Sequence, residues 1–123
     1  MSHSILHLDD DPGFLTRVSE LLNRSGYRTC SASNVEEAKR FMQSHDISCA
    51  IVDLFLEGDR GDLLSNNFIE QYLVNVPYAR LTSAPKLVPP KFSGSGVVHK
   101  YHFLDNPSLL LNLIIEMTAA AGT

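Results

Sequence analysis

Three carboxylates, a hydroxyl and an ammonium stand at the ends of short apolar runs in this chain. Asp9 and Asp10 follow residues 4–8, Asp53 follows residues 49–52, Thr82 closes residues 78–82 and Lys100 closes residues 96–100. Carboxylates gathered in one place repel one another unless a cation neutralises them, and hard oxygen donors of this kind suit Mg2+. Mg2+ keeps several waters and takes one or two protein carboxylates plus phosphate oxygens, which leaves Asp53 an oxygen for nucleophilic attack on phosphorus. Charge developing on a transferring phosphoryl group wants fixed cations and donors, the roles open to Lys100 and Thr82. The chemistry these residue types suggest is metal-assisted formation of an aspartyl phosphate on Asp53.

For that chemistry the five positions must meet, and the pattern of the chain predicts how. Residues 4–8 form a β-favouring run stopped by Asp9-Asp10-Asp11-Pro12-Gly13. From Phe14 onward, Val18, Leu21 and Leu22 continue one helical face, with Gly26 suited to its C-terminal cap. A strand over 27–32 leads to a second helix, with Ser33 and Glu36 as its capping box, running to about His45. Cys49-Ala50-Ile51-Val52 is nearly all apolar, as a central parallel strand covered on both faces should be. A loop holding Gly58 and Gly61 opens a third helix with Leu64, Phe68 and Tyr72 inward, joined by Ile69 and Leu73. Strands over 78–82 and 96–100 follow, then a last helix with Asn106 as N-cap and Pro107 at its first position.

Alternation of strand and helix predicts an α/β fold with a parallel sheet, and for five strands the flavodoxin-like order 2-1-3-4-5 is the usual solution. Ligands of such sheets bind beyond the carboxyl ends of the strands where the order reverses, between the first and third strands, which are the ones ending in Asp9, Asp10 and Asp53. The stretch 84–96, with Pro85, Pro89, Pro90, Gly94 and Gly96, resists a regular helix, so the fourth helix is expected to be short or absent.

Composition excludes several classes of function. The 123 residues are 44% hydrophobic, enough for one core, and we expect one domain over 1–123. Ten basic against 14 acidic residues offer no electrostatic footprint for nucleic acid. Cys30 and Cys49 do not make a disulfide framework and are read as reduced. No apolar run approaches the roughly 18 residues of a membrane span, so a cytoplasmic protein is expected. His7, His99 and His102 lack zinc-ligand spacing.

Leu8-Asp9-Asp10-Asp11-Pro12, Asp53-Leu54-Phe55-Leu56 with Gly61 eight positions on from Asp53, Leu81-Thr82-Ser83-Ala84 and Val97-Val98-His99-Lys100 together resemble the hallmarks of response-regulator receiver domains of two-component signalling, in order and across nearly the whole chain. The resemblance implies a CheY-like fold. It implies Asp53 as phosphoacceptor, Asp10 as direct ligand of Mg2+, Asp9 as the acid that holds the metal through water, and Phe55 as donor of a backbone carbonyl. It implies Thr82 as the hydroxyl that moves to the phosphoryl group, with Ser83 as the fallback, and Lys100 as the cation paired with a phosphoryl oxygen. Asp11 falls outside the matched pair and reads as a helix cap. The family's water path past the phosphoryl group is flanked here by Phe55 and Ala84, an apolar pair that implies slow hydrolysis.

Three departures bear on switching. Tyr101 stands where the family usually has proline after the lysine, Val97 stands where it usually has an aromatic, with Tyr101 or Phe103 as substitutes, and Lys100 follows Thr82 by only 18 positions. The implied activity is that of a phosphorylation-dependent switch rather than a turnover enzyme. A histidine kinase or phosphotransfer protein serves as donor, and a downstream effector is contacted through the face of the fourth and fifth strands and the last helix, or a homodimer forms there. The apolar stretch Leu109–Leu111 and Leu113–Ile115 exceeds what one buried face can use and suits such a surface. Two other readings stand beside this one: a receiver-fold binding module independent of phosphorylation, favoured by the departures, and a magnesium-dependent phosphatase, suggested by the spacing of Asp9 and Asp11 but lacking a cap domain.

Overall fold

A computed structural model describes residues 4–58 and 60–121. The elements run β1 (Ser4–Leu8), α1 (Pro12–Arg24), β2 (Arg28–Ala32), α2 (Val35–Ser44), β3 (Ile47–Val52), α3 (Gly61–Tyr72), β4 (Tyr78–Thr82), two 3-10 turns (Pro85–Leu87 and Pro90–Phe92), β5 (Val97–His99), α4 (Lys100–Asp105) and α5 (Ser108–Ala121). The strands form one parallel sheet in the order β2-β1-β3-β4-β5, the flavodoxin-like arrangement.

Alternating side chains of the sheet feed two cores. On one face Ile5, Ile51, Leu81 and Val98 pack with Val18 and Leu22 of α1 and Leu110, Ile114 and Met117 of α5. On the other, Leu6, Leu8, Ala50 and Val52 pack with Ala38 of α2 and Phe68, Ile69 and Leu73 of α3. Cys30 and Cys49 are buried free thiols, one in each core. Within α5 the buried stripe leaves Leu109 and Ile115 exposed. Among the described residues no helix is long and apolar enough to cross a membrane.

Local chemistry sets the boundaries. Asp11 caps α1, its carboxylate accepting from Gly13 N at 2.8 Å with Pro12 at the first helical turn. The α2 cap lies one residue later than the spacing of Ser33 and Glu36 predicts: Asn34 accepts from Glu37 N at 2.9 Å while Glu37 reaches back to Ser33 N at 3.0 Å. The prolines of 85–92 reduce the fourth crossover helix to its two 3-10 turns, as the composition predicts.

Other expectations are corrected. The fifth strand is shorter than 96–100, and Lys100 is the first residue of a six-residue helix, with the His99 imidazole accepting from Tyr101 N. Asn106 closes that helix rather than capping the last one, and α5 starts at Ser108, although Leu110 N and Leu111 N reach back to Pro107 O. α5 continues to Ala121, and Gly122 and Thr123 lie outside the described residues. Leu64 is not inward but 45% exposed, because the inward positions of the first α3 turns are taken by Ser65 and Asn66, whereas Tyr72 is half-buried and packs against the core beside Phe68 as expected.

Gly61 opens α3 where the chain turns back on the β3–α3 loop, and a Cβ there would lie 1.9 Å from Leu56 O. No side-chain rotation relieves a clash with backbone. Gly61→Ala is therefore expected to destabilise the fold by about 3 kcal/mol or more, read as a lower midpoint in urea unfolding. An unchanged midpoint would show that the loop yields freely.

Candidate functional site

Parallel register brings two carboxylates together. Leu8 pairs with Val52, and the ladder continues one step beyond both strands: Asp9 N donates to Ala32 O and Asp53 N to Leu8 O, each at 3.0 Å. Asp9 and Asp53 thus sit side by side on adjacent strand ends, both buried, with Asp10 half-buried next to them. Asp9, Asp10 and Asp53 each offer one carboxylate oxygen, and these oxygens lie within 4.8 Å of one another. An open cleft lined by Asp10, Pro12, Ser33, Leu56, Glu57 and Leu64 adjoins the cluster, which accounts for the exposure of Leu64.

Lys100 answers the repulsion. Its ammonium lies 2.9 Å from Asp9 Oδ2 and 2.9 Å from Asp53 Oδ2, donating a well-aligned hydrogen bond to the latter and approaching the former as an ion pair outside hydrogen-bond alignment. The Phe14 ring lies beneath it, 4.6 Å from ring centre to Nζ. Burial works to lower the lysine's pKa, but the bonds and charges of Asp9 and Asp53 together outweigh it and hold the ammonium protonated above its ordinary range. The other Asp53 oxygen, Oδ1, accepts from Leu54 N at 2.7 Å.

The acids feel both burial and one another. Desolvation, followed by repulsion from Asp53, pushes Asp9 up to about 6 despite its contact with Lys100, and the same two causes raise Asp10. Asp9 Oδ1 accepts from Asp11 N at 2.9 Å. Directly behind, His7 is fully buried with neither ring nitrogen hydrogen-bonded and Nε2 3.8 Å from Asp9 Oδ2. Burial first, and Lys100 second, press it down to about 3, so the ring is neutral at ordinary pH.

The remaining predicted residues line the same rim. Thr82 ends β4, buried, in register with His99 of β5, and its hydroxyl accepts from Ala84 N at 3.1 Å. Ser83 is exposed. Phe55 follows Asp53 by two positions and is 44% exposed. Of the two aromatics offered as substitutes for the residue replaced by Val97, Tyr101 is 65% exposed while Phe103 is buried in the α1–α5 core.

Sequence reasoning missed Arg80. It lies in β4, fully buried, and reaches the back of the site: Nε donates to Val52 O at 2.9 Å and Nη2 to Asp53 O at 3.0 Å. An arginine inside a strand of otherwise apolar pattern, two positions before Thr82, was the available signal.

Residues 5–87 match the family model of the response regulator receiver domain. Among curated proteins the chain is similar to the photosynthetic apparatus regulatory protein RegA of Rhodobacter capsulatus, 36% identical over 58 residues, covering 47% of this chain and 32% of that protein. It is also similar to the heme response regulator HssR of Staphylococcus saprophyticus, 30% identical over 82 residues, covering 67% of this chain and 36% of that protein. The chain spans about a third of the length of these relatives. Among solved structures, a CheY-like receiver domain protein from Methanospirillum hungatei superposes with a TM-score of 0.81 at 21% identity, covering 99% of this chain and 98% of the other. TrrA of Thermotoga maritima, solved in complex with Mg2+ and BeF, gives a TM-score of 0.69 at 22% identity, covering 90% of this chain and 98% of that one.

The two perturbed groups act in opposite pH windows. His7 has a folded pKa below its ordinary 6.5, so the stability of its neutral form is present above pH 6.5 and is lost as pH falls toward 3. Asp9 has a folded pKa above its ordinary 3.8, so its stability is full below pH 3.8 and is lost as pH rises through 6. In chelator, Asp9→Asn is expected to raise the urea midpoint at pH 8 and change it little at pH 4. His7→Leu is expected to gain relative to wild type at pH 4 compared with pH 8. Differences that do not vary with pH would sink both assignments.

Proposed function

The chain belongs to the response regulator receiver domain family, and on that premise we propose that it accepts a phosphoryl group on Asp53 and signals through protein contacts, as one domain over 1–123. The observation that carries this reading is the cluster of Asp9, Asp10 and Asp53 oxygens with Lys100 bonded to Asp53 at 2.9 Å.

The donor set fits Mg2+: hard carboxylate oxygens from three acids, within 4.8 Å of one another. Asp10 and Asp53 would hold the ion directly, with Asp9 through water and the Phe55 carbonyl completing the protein's share. When bound, the ion neutralises oxygens of the phosphoryl group and of the acids at once. Asp53 supplies the nucleophilic oxygen. Its Oδ–P bond forms as the bond from phosphorus to the donor breaks, and the donor departs with that electron pair, as acetate when acetyl phosphate is the donor. Lys100, already beside Asp53 Oδ2, turns to a phosphoryl oxygen, and Thr82 offers its hydroxyl from the neighbouring rim.

A histidine kinase or histidine phosphotransfer protein is the donor we propose, and an effector protein reads the result. The reader would contact β4, β5 and α5, where Leu109 and Ile115 are exposed, or a second copy would pair there. We assign the chain no turnover on a separate substrate beyond its own slow dephosphorylation, and we place it in the cytoplasm. The alternative, a binding module independent of phosphorylation, is favoured by Val97, by the exposed Tyr101 and by the two 3-10 turns in place of a helix.

Incubation with acetyl phosphate and Mg2+ is expected to add the mass of one phosphoryl group to the wild type and none to Asp53→Asn. Lys100→Met should slow acceptance by about 100-fold. With Phe55 and Ala84 beside the water path, the phosphorylated form should decay slowly, and Phe55→Asn should speed the decay. A folded wild type that gains no mass selects the binding module.

A further inference from the structure

Arg80 is the largest of the fully buried side chains and lies on an inner strand, where an apolar residue would pack at less cost. All five of its N–H groups are used. Nε donates to Val52 O, Nη2 to Asp53 O and Ser65 Oγ, and Nη1 to Asn66 Oδ1 and Phe92 O, at 2.9 to 3.1 Å. Ser65 Oγ in turn donates to Leu54 O at 2.6 Å. The carbonyls of three consecutive residues, Val52, Asp53 and Leu54, are therefore held by one guanidinium, the last of them through Ser65. Among the described residues no carboxylate forms an ion pair with it, and each acceptor it bonds to is neutral.

A residue kept for stability alone would not need a desolvated charge in this place. What the guanidinium supplies that an apolar side chain cannot is a rigid planar fork that joins the end of β3 and the first turns of α3 to the second 3-10 turn at Phe92. The segment containing Phe92 is also the one in which Leu87 is 63% exposed and Lys86 and Lys91 are presented to solvent.

We propose that Arg80 is a positioning residue that couples the acid pocket to the 85–93 connection, so that a change of charge or position at Asp53 moves the exposed face of that connection. The inference rests on the reading of Asp53 as the group that is modified. An aspartyl phosphate carries more negative charge than the carboxylate it replaces, on a residue whose carbonyl the guanidinium holds. The fork cannot follow Asp53 O without shifting its hold on Phe92 O, since both are bonded to the same plane. Such a coupling biases two arrangements of a loop rather than bending it continuously.

Hydrogen exchange read by mass spectrometry on the full chain tests this, with Mg2+ and beryllofluoride as the probe for an occupied pocket. Wild type is expected to change exchange both in peptides covering 53–58 and in peptides covering 85–95. Arg80→Lys keeps the charge without the fork and should keep the first response while reducing the second by about fivefold. Arg80→Met, uncharged and of similar bulk, serves if the lysine variant does not fold. Equal responses over 85–95 in wild type and variant, or a wild type that responds at 53–58 alone, overturn the coupling and leave phosphoacceptance standing. Silence at both sites overturns the coupling, and the silent 53–58 peptides then mark the failure of the pocket reading itself.

Discussion

Burying two carboxylates on neighbouring strand ends is the constraint around which this molecule is arranged. The register of β1 against β3 makes the juxtaposition unavoidable, since Leu8 opposite Val52 puts Asp9 next to Asp53. Burial first, and the neighbouring Asp53 second, push the Asp9 carboxyl up to about 6. A single ammonium relieves both acids. Lys100 reaches both from the first position of α4, where the chain turns after the three-residue β5 and sets the ammonium over the Phe14 ring.

Asp53 lies between two cations that act on different parts of it. Lys100 meets the carboxylate from the rim, where a phosphoryl group would arrive, and Arg80 holds the carbonyl from inside the sheet. Burial pulls the arginine down to about 10, against the pull of Tyr78 and Asp53, yet it remains charged at neutral pH. Its demand for acceptors also explains the rotation of α3. Ser65 and Asn66 occupy inward positions because the guanidinium needs their oxygens, and Leu64 is displaced toward the cleft.

This accounts for which features the sequence made legible. Strand ends marked by acids after apolar runs, the five-strand alternation and the proline-broken crossover all rest on local chemistry that a pattern exposes, and each reappears in the structure: Asp9 and Asp53 together, the order 2-1-3-4-5, two 3-10 turns between β4 and β5. Reading failed where a residue's place depends on a distant partner. Arg80 stands out in an otherwise apolar strand but does not reveal its partners, and Leu64 looks more inward than Ser65; the guanidinium, 15 positions from Ser65, reverses that order. Asn34 displaced Ser33 as the α2 cap by a single position, a choice between two good capping residues that spacing alone does not decide.

The departures at Val97 and Tyr101 acquire a physical sense from the same geometry. An aromatic that reports the state of a pocket must be able to move between the interior and the surface. Phe103 packs in the α1–α5 core and lies near the Phe14 ring on which Lys100 rests, so moving it would disturb the site it is meant to report. Tyr101 starts 65% exposed, with its ring 5.4 Å from that of His99. The crossover from β4 to β5, reduced to two 3-10 turns, is instead tied to the back of Asp53 by hydrogen bonds to Arg80. With Val97 at that position the domain still contains a continuous polar link from its acid pocket to the surface beside β4 and β5, and that link runs through the sheet rather than around its edge.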